Sequence, residues 1–150
     1  MKKISKHISY KEATNSNSAN KLNLKNKPSK ESIENMEVLA EKIFEPLREW
    51  AEGPIRVNSF YRSEELNSAI KGSYKSQHLT GNAIDISSLN EKTNAELFHY
   101  IKDNLDYDQM IWEYGTNDEP KWIHVSYSTT HENRKRNLRI IKKGYYYLLN

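Results

Sequence analysis

The hydrophobic pattern first becomes regular after a polar start. Apolar residues recur at helical spacing over residues 33–50, which predicts an amphipathic helix. Ser29 can cap its N-terminus, and Gly53 followed by Pro54 provides a stop signal at the other end. Pro46 lies inside the pattern, so we expect it to kink or break the last turns.

Short strands and further helices are predicted downstream. Residues 55–60 alternate in polarity and residues 83–86 are mostly apolar, and each run is typical of a short strand. A short helix is expected over residues 64–70. Thr93 and Glu96 have the spacing of a capping box, which predicts a helix that begins there.

Two apolar runs near the C-terminus have the pattern of a β-hairpin. Residues 109–114 and 122–127 flank a turn-rich segment, residues 115–120. Strands and helices therefore mix without a regular βαβ alternation. This order favours an α+β fold built around an antiparallel sheet.

The two ends of the chain are more polar than its middle. Residues 11–27 are rich in Asn, Ser and Lys, which favours loop or loosely docked structure. We therefore divide the chain into a polar, partly ordered N-terminal segment, residues 1–28, and a single domain, residues 29–150. The basic run at residues 133–143 is expected to be a solvated surface or tail.

Composition excludes several kinds of site. The 150 residues contain no cysteine, so disulfides, thiolate zinc fingers and a catalytic thiol are excluded, and any metal must use nitrogen and oxygen ligands. No run approaches the roughly 20 apolar residues of a membrane span, and the basic start lacks an apolar h-region. We expect no membrane insertion and no conventional signal peptide. The net charge of +3 favours polyanions, whether nucleic acid or an acidic bacterial wall.

The candidate chemistry lies on two sides of a glycine turn and on a later strand. His78 and Asp85 flank Gly81, and a turn can bring their side chains together. Imidazole nitrogen and carboxylate oxygen suit a divalent metal of borderline softness. His124, on a predicted strand, can provide a third ligand and leave a fourth position open for catalysis.

Alternation along this strand puts Trp122 and Ser126 on the face that carries His124, where both would flank the metal. An isolated histidine is more often a surface or hydrogen-bonded core residue than a ligand. The metal interpretation therefore depends on the combination. The remaining histidines are interpreted as ordinary surface or core residues: His7, His99 and His131.

This combination resembles the M15 family of zinc D-Ala-D-Ala carboxypeptidases and related murein endopeptidases, which includes many phage lysins. The family motif S-x-H-x-x-G-x-A-x-D is present at residues 76–85. A strand with a tryptophan and the third histidine is present at residues 122–126. Residues 59–63 resemble the family's S-G-Y-R-S and keep its arginine, Arg62, whereas Phe60 replaces the usual glycine.

The resemblance implies a hedgehog/DD-peptidase-like fold, in which helices pack on one side of a small antiparallel sheet. It also implies one Zn²⁺ ion with three protein ligands: His78, Asp85 and His124. The expected activity is hydrolysis of peptide bonds in bacterial peptidoglycan stem peptides, by a carboxypeptidase or an endopeptidase.

The general base is harder to assign. Family members place an acid or a histidine shortly before the last histidine, but the corresponding positions here hold Lys121 and Trp122. We predict Glu113 as the base, provided that the hairpin register turns it toward the same side as His124. Related phage-type sequences resemble this segment with a glutamate in the same place. The alternatives lie in the turn: Asp118 and Glu119.

Substrate contacts are predicted at four residues. Arg62 offers fixed donors and a permanent charge, which suit an oxyanion or a substrate carboxylate, although a surface salt bridge would also explain it. Ser76 is expected to orient substrate or support the metal ligands. Trp122 and Ser126 are expected to contact substrate beside the metal.

Two other functions remain open from sequence. The chain could be a catalytically inactive, metal-stabilised module that binds the cell wall or forms part of a virion. It could also bind nucleic acid through the basic C-terminal run and residues 145–147, although it carries no recognised nucleic-acid motif. We expect a monomer, made in the cytoplasm, that reaches the wall after lysis or on a virion and binds no nucleic acid.

Overall fold

A computed structural model describes residues 2–149 of the protein. Six α-helices and eight strands are present in this range, and the α+β prediction is confirmed. The strands are β1 (Lys3–Ser5), β2 (Ile8–Ser9), β3 (Ile55–Ser59), β4 (Ala83–Ser88), β5 (Gln109–Glu113), β6 (Trp122–Ser126), β7 (Arg136–Lys142) and β8 (Tyr145–Leu149). The helices are α1 (Tyr10–Thr14), α2 (Asn17–Leu22), α3 (Lys30–Leu39), α4 (Glu45–Ala51), α5 (Glu64–Ala69) and α6 (Asn94–Asn104). None of the described helices has the length and apolar character needed to cross a bilayer.

The larger sheet has six strands in the order β3-β4-β6-β5-β7-β8. Its neighbouring strands are antiparallel except for the parallel pair β5 and β7. Alternate residues of each strand point to opposite faces. One face holds the main core against α3, α4 and α6, with buried side chains that include Ile84, Ile86, Met110, Ile123 and Val125. The other face is left for the site described below.

Pro46 does not end the first long helix. The chain passes from α3 through a π-helical turn, Ala40–Phe44, directly into α4. Because the π-turn shifts the hydrogen-bond register, Pro46 falls in the first turn of α4, where its missing N–H group is tolerated. The helix ends at Ala51, and Glu52 takes the left-handed conformation with φ of 54°.

The N-terminal segment is more ordered than its composition predicted. Strands β1 and β2 and helices α1 and α2 lie within residues 3–22. Helix α2 and most of α1 fall in residues 11–27, for which loop or loosely docked structure was predicted. Its polar residues act as helix caps, because Ser9 and Glu12 form a capping box and Ser16 caps α2. Three of its apolar side chains are buried in the main core: Ile4, Ile8 and Ala13.

The basic C-terminal run is part of the sheet, so it is not a tail, although all of its basic side chains except Arg139 are exposed, as a solvated surface requires. Strand β7 runs parallel to β5, and β8 returns beside it. Leu138 and Ile140 alternate along β7 and are buried. Arg139 is also buried, and its guanidinium donates to the carbonyl oxygens of Trp112 and Ile140. The charged residues of the run made the alternation of Leu138 and Ile140 difficult to recognise in the sequence.

Candidate metal centre

Three adjacent elements carry the predicted ligands. His78 lies in a 3₁₀ turn, Gln77–Thr80, and Asp85 and His124 lie directly opposite each other on β4 and β6. Gly81 ends the turn with φ of +76°, and a Cβ there would collide with the carbonyl oxygen of Ser32. Glycine therefore allows the chain to turn sharply between His78 and Asp85.

The orientation of His78 is fixed by the main chain. Its Nδ1 lies 2.8 Å from the carbonyl oxygen of Phe60. A carbonyl oxygen can only accept, so Nδ1 carries the proton, and in the neutral ring Nε2 has a free lone pair. Nε2 faces Asp85 Oδ1 at 3.3 Å. A backbone carbonyl that orients a histidine in this way is the usual support of a metal-binding imidazole.

The three side chains converge on one point. Asp85 Oδ1 lies 3.0 Å from His124 Nδ1 and 3.3 Å from His78 Nε2, and one ligand atom from each residue lies within 4.8 Å of the others. Tetrahedral ligands at zinc distances are separated from one another by roughly 3.3 Å. The donor atoms and their spacing therefore fit a divalent cation.

The charge state of Asp85 suits this role. Burial would raise the pKa of its carboxyl group, but His78 and His124 outweigh burial through charge and hydrogen bonds and hold the pKa well below its ordinary value. The carboxylate is therefore ionised at neutral pH. An ionised carboxylate between two imidazoles is the protonation state that a cation requires.

Glu113 lies one strand away, on the same face. Ile111 pairs with His124, and Glu113 pairs with Trp122, so the hairpin has the register that turns Glu113 toward the His124 side. Trp122 Nε1 donates to Glu113 Oε2 at 2.9 Å. Burial and the nearby charge of Asp85 raise the pKa of Glu113 to about 7, despite opposing contributions from His124, Trp122 and Arg62.

Arg62 also lines this site, and it is held by a neighbouring side chain. Its Nη1 donates to Asn67 Oδ1 at 3.0 Å, and Asn67 in turn donates to the carbonyl oxygen of Ser73. Gly72 packs against this pair, because a Cβ there would collide with Asn67 and lie 3.2 Å from Arg62 Nη1. Burial lowers the pKa of Arg62 from its ordinary value, while Asp85 and Glu113 oppose that change. Arg62 remains a cation at neutral pH.

A comparison against protein-family models identifies the family of the chain. Residues 6–126 match a family model described as Peptidase M15. The chain belongs to the peptidase M15 family. A comparison with curated proteins gives no match. The mixed α+β architecture agrees with the fold of M15 peptidases, and membership in the family supports a metallopeptidase.

The M15 match begins at residue 6, well before the boundary that we drew at residue 28. Asn26, inside the polar segment, binds the backbone of the domain that follows. Its side chain donates to the carbonyl oxygens of Thr14 and Tyr61 and accepts from the backbone N–H of Ser63. The N-terminal segment therefore supports the backbone on both sides of Arg62.

Of the other predicted substrate residues of this M15 protein, Ser76 and Trp122 line the cleft, whereas Ser126 is not among its lining residues. Ser76 lines the cleft, and its Oγ accepts from the backbone N–H of His78, so it supports the turn that holds this ligand. Trp122 lines the cleft and anchors Glu113. Ser126 is fully buried and exchanges hydrogen bonds with the backbone of Gln109. Its observed contacts therefore join β6 to β5.

Sequence reasoning missed a buried carboxylate behind the site. Asp108 is fully buried and accepts from Gln77, the residue before His78. It also forms a two-point pair with the Arg134 guanidinium, with both distances at 2.9 Å. Burial opposes ionisation, but the bonds from Arg134 and Gln77 hold the pKa of Asp108 below its ordinary value. Asp108 thus joins the His78 turn to Arg134, two residues before β7, a long-range contact that has no local sequence signal.

The cleft beside the metal site has a volume of about 880 Å³. Strands β7 and β8 provide part of its wall, through residues such as Leu138 and Tyr146. Sequence reasoning missed this wall as well, because it treated the basic run as solvated. Six arginines and lysines line the cleft: Arg62, Lys71, Lys75, Arg134, Arg136 and Lys143.

Proposed function

We propose that this protein is a zinc-dependent peptidase that hydrolyses peptide bonds in the stem peptides of bacterial peptidoglycan. The observation that carries the proposal is the convergence of His78, Asp85 and His124 beside Glu113. One zinc ion would be held by the first three residues. When bound, zinc supplies Lewis acidity to water and to the scissile carbonyl.

Glu113 is proposed as the general base. A base works best when its pKa lies near the working pH, and burial brings this carboxyl group to about 7. Trp122 anchors Oε2, and it is the only hydrogen-bond partner of the carboxylate among residues 2–149. Oε1 is therefore available to accept a proton from the attacking water and to return it to the leaving amine.

Arg62 is proposed to bind negative charge, either on the oxyanion or on a carboxylate of the substrate. Its guanidinium lines the cleft, and the bond to Asn67 restricts its orientation. A charged donor that is already oriented needs little reorganisation when charge develops in the transition state. Ser76 supports this arrangement indirectly, because it holds the turn that carries His78.

Peptidoglycan is proposed as the substrate on two grounds. The M15 resemblance implies a wall peptidase, and stem peptides carry free carboxylates that complement a cleft lined by lysine and arginine. The same resemblance supports action at the wall after lysis or delivery on a virion.

The decisive experiment compares zinc-loaded and chelated protein on purified peptidoglycan, with products identified by mass spectrometry. We expect new amino termini or released amino acids from the zinc-loaded protein alone. His78→Ala should abolish both zinc binding and hydrolysis. His99→Ala is the matched control, because His99 is an exposed histidine on α6 outside the site.

Two results would reject the proposal. Hydrolysis that survives both chelation and His78→Ala would exclude a metal mechanism at this site. A zinc-loaded protein that binds peptidoglycan but releases no product would instead support an inactive wall-binding module.

A further inference from the structure

A second cleft adjoins the metal site on the side opposite strands β7 and β8. It has a volume of about 420 Å³, and five of its nine lining residues are amides or hydroxyls, including Asn15, Asn17 and Asn58. Its single cation in the described part of the chain, Arg56, is balanced by Asp85, so this cleft has no net charge. Asp85 and Trp122 line both this cleft and the larger one. We call the smaller cleft the amide arm and the 880 Å³ cleft the cationic arm. The predicted metal ligand Asp85 therefore lies where the two arms meet.

The sheet explains why the arms extend in opposite directions. Strands β4 and β6 carry Asp85 and His124, β3 lies on one side of this pair, and β5, β7 and β8 follow on the other. Neighbouring strands are roughly 4.8 Å apart, so the three steps from β6 to β8 cover roughly 14 Å, about four extended residues. The β3 side continues to the start of α2 at Asn17.

We infer that the protein is an endopeptidase whose substrate lies across the metal position, with an acidic segment in the cationic arm and uncharged polar groups in the amide arm. This inference rests on the proposed function and narrows it. A carboxypeptidase removes one terminal residue, so on the leaving-group side of the scissile bond it needs room for that residue alone. Each arm alone has a volume in the range that accommodates a ligand of several residues, roughly 300–1,000 Å³.

Charge distinguishes the two arms. Among the described residues, six lysines and arginines and two acids line the cationic arm, so its net charge of +4 exceeds the +3 of the whole chain. Arg134 is paired with Asp108. Four of the other cations have no ion-pair partner within residues 2–149: Lys71, Lys75, Arg136 and Lys143. Such charges attract and orient an acidic peptide.

The reaction is a balanced hydrolysis. Water adds across one internal amide bond, so that the acyl carbon gains a hydroxyl group, the leaving nitrogen gains a proton, and nothing is oxidised or reduced. Glu113 can carry that proton from the attacking water to the leaving nitrogen. Both fragments retain several residues, one in each arm.

The first test is the mass of the earliest products formed by the zinc-loaded protein on peptidoglycan. We expect every released fragment to contain two or more amino acids. Release of single amino acids alone would overturn the endopeptidase inference and leave the proposed peptidase function intact. The absence of any hydrolysis, with zinc bound, would overturn both.

The second test fills each arm separately. Asn17→Trp and Asn58→Trp narrow the amide arm, and each should lower kcat/KM at least tenfold. Asn20→Trp is the control, because Asn20 is exposed on the same helix as Asn17 and does not line the arm. Thermal unfolding confirms that each variant is folded. If the Asn17→Trp and Asn58→Trp variants both fold and both keep the wild-type kcat/KM, the two-armed binding mode is overturned.

The third test concerns the charge of the cationic arm. Lys143→Glu and Arg136→Glu should each raise KM by about threefold to tenfold, and added salt should reduce the difference. Lys42→Glu is the control, because Lys42 is exposed in the π-helical turn outside both arms. Equal KM values for the three variants would overturn the assignment of the acidic segment to this arm.

Discussion

Replacing Glu113 by glutamine should have opposite effects on catalysis and on stability. The amide keeps the shape of the side chain and an oxygen that can accept from Trp122, but it cannot take a proton from water. Loss of a general base lowers turnover about 100-fold to 10,000-fold. Zinc content should stay unchanged, because the proposed ligands are intact.

The stability effect follows from the pKa of Glu113. A rise from an ordinary 4.5 to about 7 means that the folded protein holds this proton more tightly than the unfolded chain. Protonation of Glu113 therefore contributes up to about 3 kcal/mol to the free energy of unfolding. This contribution is fully present below pH 4.5 and is lost as the pH rises through 7. Glutamine stays neutral at every pH. The metal-free variant should therefore be more stable than the metal-free wild type at pH 8, with a smaller difference near pH 4.5.

Urea unfolding of both proteins in EDTA, at several pH values, measures this difference. If the difference in unfolding free energy between the two proteins stays constant from pH 4.5 to pH 8, the raised pKa of Glu113 is refuted. Full turnover by the zinc-loaded variant would refute the assignment of the base.

Three other substitutions test the support of the site. His78→Ala should remove stoichiometric zinc, measured by elemental analysis, whereas retention of one tightly bound zinc would contradict the ligand set. Gly81→Ala should lower the unfolding free energy by about 2 kcal/mol, because φ is +76° and a Cβ would collide with Ser32, and thermal unfolding checks this. Asp108→Ala should cost about 2 kcal/mol or more, since several donors lose their buried acceptor. In the wild type, the contribution of Asp108 is lost as the pH falls through its lowered pKa, so the variant should show a weaker decline in stability under acid.

The candidate ligands could be predicted because each lies in a short motif that resembles the M15 family, and that resemblance implied their convergence. His78 and Asp85 are separated by one glycine turn, and His124 lies in a short apolar strand whose alternation assigns its face. The register that relates Glu113 to His124 was less secure, because a shift of one residue reverses the face. The structure resolves that register through the pairing of Glu113 with Trp122.

The chain ends were harder to predict because their structure depends on distant partners. In β7, charged residues surround Leu138 and Ile140, so average polarity concealed an alternating strand. The parallel pairing of β5 with β7 joins segments that are far apart in sequence, which local patterns do not encode. At the other end, Ile8 and Ala13 are too few to form a pattern, yet both are completely buried.

The contact between His78 and the Phe60 carbonyl has a consequence for mutagenesis. Any amino acid at position 60 supplies the same carbonyl oxygen. Substitutions at this position would therefore report only on the packing of the side chain. Replacing the amide linkage that follows Phe60 with an ester would weaken the acceptor while leaving every side chain unchanged. The ester also removes the Tyr61 N–H, which donates to the carbonyl oxygen of Ala13, so zinc affinity rather than stability would report the contribution to imidazole alignment that alanine substitution overlooks.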